Sequence, residues 1–297
     1  MIKVNNVSKN YRTFRLQNIS FDLPKGYIMG VIGRNGAGKT TLLKILSGME
    51  NIDSGSVVIN GFNINDSEKN NKEAKDDIGF VFLEDLFINE ASLIKNGYVY
   101  GKYYTRFDEH ILKKYCNEFE LDINRKYKKL SKGEKLKFQL AFALSHSPKL
   151  LILDEPAANF DRDFRKKFIK TLTEFVSGGE RSVVMATHLT EDLDRIVDYV
   201  TFMDDGMIRF SMDKEELAES FRLVSGSFSK CNLIDRECVI HREDGKYSSK
   251  ILVDYKKMKK QNIIDSEITI EIPKIEDIMY YLVKGNEAAK KEDYRYV

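Results

Sequence analysis

The sequence predicts an α/β fold in which a parallel sheet carries a phosphate-binding loop, and three stretches predict it. The first is Gly33-Arg34-Asn35-Gly36-Ala37-Gly38-Lys39-Thr40, which fits the pattern G-x-x-x-x-G-K-[ST]. Tyr27–Ile32 before it reads as a buried strand, and Thr41–Leu46 after it starts a helix with apolar residues at helical spacing. The second is Leu150-Leu151-Ile152-Leu153-Asp154-Glu155-Pro156, four apolar residues ending in carboxylates, as in a buried parallel strand with its acids at the C-terminal edge. The third is Ser182-Val183-Val184-Met185-Ala186-Thr187-His188, a further buried strand that ends in a histidine.

The phosphate loop carries the most chemistry. Its glycines let successive N–H groups turn toward phosphate oxygens, and the following helix adds the partial positive charge of its N-terminus. Lys39 is then placed to reach the β- and γ-phosphates, and Thr40 to offer its hydroxyl to Mg²⁺. A dinucleotide fingerprint fits less well, because Thr41 stands where its third glycine belongs. Asp154 at a sheet edge can hold Mg²⁺ through its water shell, and Glu155 can polarise a water for attack on the γ-phosphate. Alone, the second stretch reads equally as an acidic strand end entering a turn.

The other elements follow in chain order. Residues about 1 to 65 read as a small antiparallel β portion, with Ser56–Gly61 as one hairpin strand. Ile78–Phe82 leads into Leu83, Glu84 and Asp85, and residues about 86 to 146 read as mostly helical. Within them, Leu130-Ser131-Lys132-Gly133-Glu134 precedes Leu136, Leu140 and Leu144 at helical spacing. Ser131 with Glu134 makes a capping box, and the same capped start with its glycine can present N–H groups to an anion. Met203–Ile208 reads as a late hairpin turning at Asp205-Gly206. Beyond residue 220, Cys238–His241 and Tyr247–Asp254 flank a second hairpin turn, and Ile268–Ile272 reads as a strand. Ile275, Ile278, Met279 and Leu282 place apolar groups on one face of a final helix, expected to pack on its own sheet.

Composition narrows the function classes. The 297 residues carry 32% charged side chains and a net charge of +2, which does not describe a strongly basic nucleic-acid surface. The cluster Lys256, Lys257, Lys259, Lys260 reads as a solvated face, with an anionic contact as the alternative. Three cysteines without C-x-x-C spacing indicate neither a disulfide framework nor a zinc site, and so a reducing cytoplasm. The N-terminal residues show no apolar targeting run, and no apolar run approaches the roughly 18 residues of a membrane span. His110, His146 and His241 read as ordinary surface histidines.

In combination and order these stretches resemble the nucleotide-binding subunit of an ATP-binding-cassette (ABC) transporter over about residues 2 to 215. Gly33–Thr41 is similar to the Walker A loop, Leu150–Glu155 to the Walker B strand and Leu130–Glu134 to the LSGGQ signature. Asp161, in Ala157-Ala158-Asn159-Phe160-Asp161, is similar to the D-loop aspartate. The resemblance implies that His188 is the switch histidine at the γ-phosphate and Tyr11 the aromatic that stacks on adenine; a core strand aromatic is the other reading of Tyr11. It implies a P-loop NTPase of the ABC ATPase type: a RecA-like core sheet, an antiparallel β subdomain and a helical subdomain at about 86–146. These make up a domain 1–218, followed by a small C-terminal α/β appendage, 219–297.

Three departures stand out. Lys132 replaces a signature glycine and Glu134 a frequent glutamine, while Ser131 and Gly133 remain. After Phe82, where the family places a glutamine that approaches Mg²⁺ and links to the membrane partner, this chain has Leu83 and then Glu84. Either Glu84 takes over the metal contact, or the loop serves coupling alone, or Glu84 is a solvated loop acid.

The resemblance implies an ATPase that uses ATP and Mg²⁺. Two cassettes, identical or different, would close head to tail on ATP, each site completed by Ser131 and Gly133 of the other. A separate transmembrane permease subunit would hold the pair peripherally at the cytoplasmic face of the membrane, with no nucleic acid involved. The closing segment Ile275–Tyr281 resembles bacterial export ATPases of the peptide and antibiotic-resistance type. The rival expectation is a soluble ABC-type ATPase in translation or DNA maintenance, against which stand the single signature and the absence of a long heptad run.

Overall fold

A computed structural model describes residues 1–64, 68–157, 159–187, 195–259 and 267–293, side chains excepted for 68–71 and 286–293. The chain divides into two compact units, Met1–Ser211 and Met212–Val297. The division comes a few residues before 218, because the helix Lys214–Ser220 runs directly into the first strand of the second unit's sheet.

In the first unit, β1 (Ile2–Asn10) pairs antiparallel with β2 (Arg15–Leu23) on one side. On its other side β1 pairs with a strand at Ser54–Ile59, which turns back into Phe62–Asn63. Alternation drives this sheet: Leu16, Ile19, Phe21 and Leu23 of β2 are buried between exposed neighbours.

The second sheet of the unit contains β3 (Ile28–Gly33) and, after β4 (Ser54–Ile59) and β5 (Phe62–Asn63) of the first, β6 (Ile78–Val81). It is completed by β7 (Leu150–Asp154), β8 (Ser182–Ala186), β9 (Tyr199–Asp204) and β10 (Met207–Asp213). Its order is β10-β9-β3-β8-β7-β6. β6 with β7, β7 with β8, β8 with β3 and β3 with β9 all run parallel. Every residue of β3, β7 and β8 is buried, the reason these stretches read as unbroken apolar runs. Register then places the site: Ala186 lies beside Val31 on one side and Asp154 on the other, so the chain leaves β3, β7 and β8 at one edge. The hairpin between β9 and β10 turns at Asp205 and Gly206, both at positive φ, as a two-residue Asp-Gly turn requires.

Among the described residues, the helices of this unit include α1 (Lys39–Leu46), α2 (Glu68–Asp76), α3 (Leu93–Gly101), α4 (Glu109–Glu118), α5 (Lys132–Ser145) and α6 (Arg162–Val176). Ser92, Asp108, Ser131 and Asp161 cap α3, α4, α5 and α6 through their side chains. Residues 86–146 pack around Phe87, whose ring lies 4.8–5.5 Å from those of Tyr100, Tyr127, Phe138 and Phe142. Such edge-to-face pairs add about 0.5–1.5 kcal/mol each beyond their burial.

The second unit holds a four-stranded antiparallel sheet. After α7 (Lys214–Ser220) come β11 (Phe221–Ser227), α8 (Phe228–Cys231), β12 (Val239–Asp244), β13 (Ser248–Asp254), α9 (Tyr255–Met258), β14 (Thr269–Glu271) and α10 (Ile275–Asp293). The order is β12-β13-β11-β14. Val224, Cys231, Ile234, Cys238, Ile251, Val253 and Met258 form its core. α10 packs on its own sheet against β12, as expected, with Ile275, Ile278 and Tyr281 buried, Met279 and Leu282 half-buried, and the Tyr281 ring 5.9 Å from that of His241. Among the described residues, no helix is long and apolar enough to cross a membrane.

Candidate functional site

β3 ends at Gly33, and Arg34–Gly38 turn the chain into α1. Gly38 occupies the N-cap with φ of 103°, a conformation open to glycine, so no side chain caps this helix. The first N–H groups of α1 are left to face the loop, the arrangement that binds phosphate. Gly36 is exposed, and a Cβ added there would meet nothing within 4 Å. Lys39 closes the loop from inside, its Nζ donating to the carbonyls of Gly33 at 2.8 Å and Arg34 at 3.2 Å. The side chain is buried, and burial lowers the ammonium pKa against the opposing charges of Glu155 and Asp154. A buried cation whose direct hydrogen bonds go to neutral carbonyls suits an incoming anion.

Facing the loop, Thr40 Oγ1 donates to Asp154 Oδ2 at 2.7 Å. Asp154 is buried; burial raises its pKa, partly offset by that hydrogen bond, and its Oδ1 is buried without a hydrogen-bond partner. A buried carboxylate oxygen with no donor, beside a threonine hydroxyl, fits a hard cation that takes few protein ligands and completes its shell with water and phosphate. No cluster of three His, Cys, Asp or Glu side chains able to hold a metal occurs among the described residues. Glu155 leaves β7 at φ of 48°, a left-handed conformation unusual for glutamate, while its N–H donates to Ala186 at 2.9 Å. Strained backbone of this kind gathers at functional sites.

The start of α5 is built differently. Ser131 Oγ accepts from the N–H of Glu134 at 3.2 Å, and the Ser131 N–H donates to Glu134 Oε2 at 2.7 Å, the capping box expected from the sequence. Glu134 also pairs with Arg125 at 2.6 Å, which explains how a glutamate serves there. Gly133 has a packing reason besides any binding role. A Cβ there would sit 2.6 Å from the carbonyl oxygen of Asn159, between the Walker B strand and α6.

The loop after β6 is clamped from two helices. Gln139 of α5 is buried; its Oε1 accepts from Phe82 N at 2.8 Å and its Nε2 donates to the Glu84 carbonyl at 3.0 Å. Lys135 of α5 pairs with Asp85 at 2.7 Å. The Glu84 carboxylate meets Lys44 of α1 at 2.5 Å. Thr40 and Asp154 are thus brought together, while Glu84 is placed against Lys44. Neither Gln139 nor Lys44 stands out in the sequence, because each partner lies some 40 to 57 positions away.

Tyr11 lies in the turn between β1 and β2, 42% exposed, its ring 6.4 Å from that of Phe14 and under the ammonium of Lys9 at 5.6 Å. It is not a core aromatic. Asp161 caps α6, accepting from Phe164 N at 2.8 Å, and lies 3.7 Å from Lys137 of α5. His188 lies outside the described residues, as does Ala158; the preceding Thr187 is buried and donates its N–H to Val31 at 3.2 Å. His146 corrects the sequence reading. It is buried, at the C-cap of α5, stacked on Tyr104 with centroids 3.9 Å apart, and burial lowers its pKa to about 4. His110 is exposed and His241 half-buried.

The profile of the family described as ABC transporter matches residues 16–158. The chain is 28% identical over 223 residues to the ABC transporter ATP-binding protein YtrB of Bacillus subtilis (strain 168), covering 75% of each. It is 34% identical over 200 residues to the lipoprotein-releasing system ATP-binding protein LolD of Buchnera aphidicola subsp. Acyrthosiphon pisum, covering 63% of this chain and 88% of that one. It is 31% identical over 229 residues to the sulfate/thiosulfate import ATP-binding protein CysA of Bacillus cereus (strain ATCC 14579), covering 74% of this chain but 63% of that protein's length. Among solved structures, the dimeric post-hydrolysis state of the ATP-binding cassette MJ0796 bound to ADP and Pi superimposes with a TM-score of 0.66. It is 24% identical and covers 72% of this chain and 98% of that one.

Proposed function

We propose, from the premise that this chain belongs to the ABC transporter family of ATP-binding proteins and is an ATPase, that it drives transport through a separate membrane subunit and works as one of a pair of cassettes. The observation that carries the reading is the loop Gly33–Gly38 closed by buried Lys39, opposite the Thr40–Asp154 pair. Lys39 and the uncapped N–H groups of α1 would hold the β- and γ-phosphates of ATP. Thr40 and Asp154 would hold Mg²⁺, which when bound neutralises phosphate charge. Glu155 would accept the proton of the attacking water, and Tyr11, its ring half-exposed beside the loop's strand pair, would stack on adenine. Arg34, Asn35, Ala37 and Thr41 complete the phosphate cradle, His188 would contact the γ-phosphate, and Ser131, Gly133 and Asp161 would act across the pair on the other cassette's nucleotide.

A cavity of about 140 Å³ lined in part by the end of the loop after β6 supports the membrane partner. Phe80, Leu86, Phe87, Tyr100, Tyr104 and Phe142 line it, and Leu83 of the same loop is 55% exposed. A recess of this size takes one apolar side chain, and the permease would anchor there from the membrane, keeping this chain at the cytoplasmic face. We propose export as the direction, on the resemblance of Ile275–Tyr281 to bacterial export ATPases; peptides or antimicrobials are the cargo class this suggests. CysA, an importer by name, makes direction the point a transport assay must decide.

The test is co-purification from native membranes with and without detergent, together with ATP hydrolysis by the recovered complex. A polytopic membrane protein retained with Mg²⁺-dependent ATPase activity is the expected result; recovery with ribosomes or DNA instead would sink the reading.

A further inference from the structure

The loop after β6 makes a charged contact with the helix that starts at the phosphate loop. Thr40 and Lys44 lie one turn apart on the same face of α1. Thr40 donates to Asp154, and the Lys44 ammonium weakly opposes the rise that burial imposes on the Asp154 pKa. The same ammonium meets Glu84 Oε1 at 2.5 Å. The Glu84 backbone is fixed from the other side by Gln139, and the next residue, Asp85, by Lys135, both on α5. The Glu84 side chain is 59% exposed, its carboxylate held by Lys44 of α1 and its backbone by Gln139 of α5.

A lone carboxylate near bound phosphates would repel them. We infer that Lys44 and Glu84 act as one neutral unit at the edge of the phosphate site, with Lys44 as a positioning residue that cancels the charge of Glu84. The inference rests on the reading of the Gly33–Lys39 loop as the ATP site. It separates two charges whose effects on nucleotide affinity oppose one another. Removing Glu84 leaves an extra cation near the phosphates; removing Lys44 leaves an extra anion.

The experiment is a double-substitution cycle read by binding of a fluorescent ATP analogue, at equilibrium, with and without Mg²⁺. Without Mg²⁺, Glu84→Gln is expected to tighten binding and Lys44→Met to weaken it, each by about threefold to tenfold. With Mg²⁺, the Lys44→Met deficit should shrink, because the cation offsets the uncovered carboxylate. The double variant Lys44→Met/Glu84→Gln should return close to the wild-type affinity, and 0.5 M salt should compress all the differences, since both side chains are partly exposed. The exchanged pair, Lys44→Glu with Glu84→Lys, keeps the unit neutral and should also bind near normally. Melting curves establish that each variant is folded. If wild type binds the analogue and both singles move it in the same direction, or neither moves it, the inference is overturned while the ATP site stands. If wild type does not bind the analogue at all, the ATP-site reading fails first, and the inference with it.

Discussion

Helices α1 and α5 both begin in short glycine-containing turns of the same unit, yet they begin in opposite ways. α1 starts at Gly38 with no capping side chain, with buried Lys39 lying across its own loop. α5 starts at an exposed Ser131 whose hydroxyl and N–H are both occupied by Glu134. The first start leaves donors open and adds a cation, so it is equipped for a polyanion within one chain. The second is already satisfied as a helix cap, and its serine faces outward. This difference motivates assigning phosphate binding to α1 and a contact across a pair of cassettes to α5. It also shows that one sequence signal, a polar residue before a helix with glycine nearby, supports two roles that only the surrounding contacts distinguish.

The largest effect is expected at the phosphate-loop side, where the proposed chemistry lies. Glu155→Gln should lower ATP hydrolysis by about 10² to 10⁴ while leaving ATP binding intact, because a general base is lost and no phosphate contact is. Size exclusion with ATP and Mg²⁺ should then show a stable dimer. Turnover at the wild-type rate would remove Glu155 from the site.

The far end of α5 offers the next largest effect. His146 is held neutral by burial, its pKa near 4 against an ordinary value of 6.5, with Asp76 opposing the shift and Arg106 adding to it. Between these values the unfolded chain binds the proton and the folded chain does not. The stability that the buried neutral ring contributes is therefore complete above about pH 6.5 and falls as pH drops toward 4, by up to about 3 kcal/mol. Urea melts from pH 7 to 4.5 should show this slope in wild type and a flatter one in His146→Phe. Parallel slopes would show that His146 does not titrate in this window.

The smallest effect concerns the cap itself. Ser131→Ala removes one half of the capping box and should lower stability by about 1 kcal/mol. ATP binding by the isolated chain should be unchanged, a separation that the equivalent change at Lys39 could not show. Loss of nucleotide affinity in Ser131→Ala alone would blur the distinction between the two helix starts.

Much of this comparison was legible in the sequence, for a local reason. The phosphate loop, the buried strand before Glu155 and the capping box are each set within a few consecutive residues, where glycine spacing and apolar runs report directly on backbone geometry. What escaped depends on residues far apart in the chain. The histidine at 146 read as a surface residue because nothing local announces that Tyr104 covers it. Gln139 sits among apolar neighbours of α5 and appears polar and misplaced until its hydrogen bonds to Phe82 and Glu84 are seen. The positive φ of Glu155 follows from the way the chain leaves β7 beside Ala186, which no residue pattern encodes. Asp161 was identified by position in a motif, whereas its cap on α6 is a local role the D-x-x-F spacing could have suggested.

The central claim, that one catalytic site combines α1 of one chain with α5 of another, is tested most directly by mixing two inactive variants. Lys39→Ala should bind ATP about 10- to 100-fold more weakly, having lost a buried charged donor. Ser131→Arg should bind ATP nearly as wild type but not hydrolyse it. In a one-to-one mixture, random pairing leaves one intact site in half of the dimers, so roughly a quarter of wild-type ATPase activity should return. Mixed dimers confirmed by differential tagging but without recovered activity would contradict the shared site.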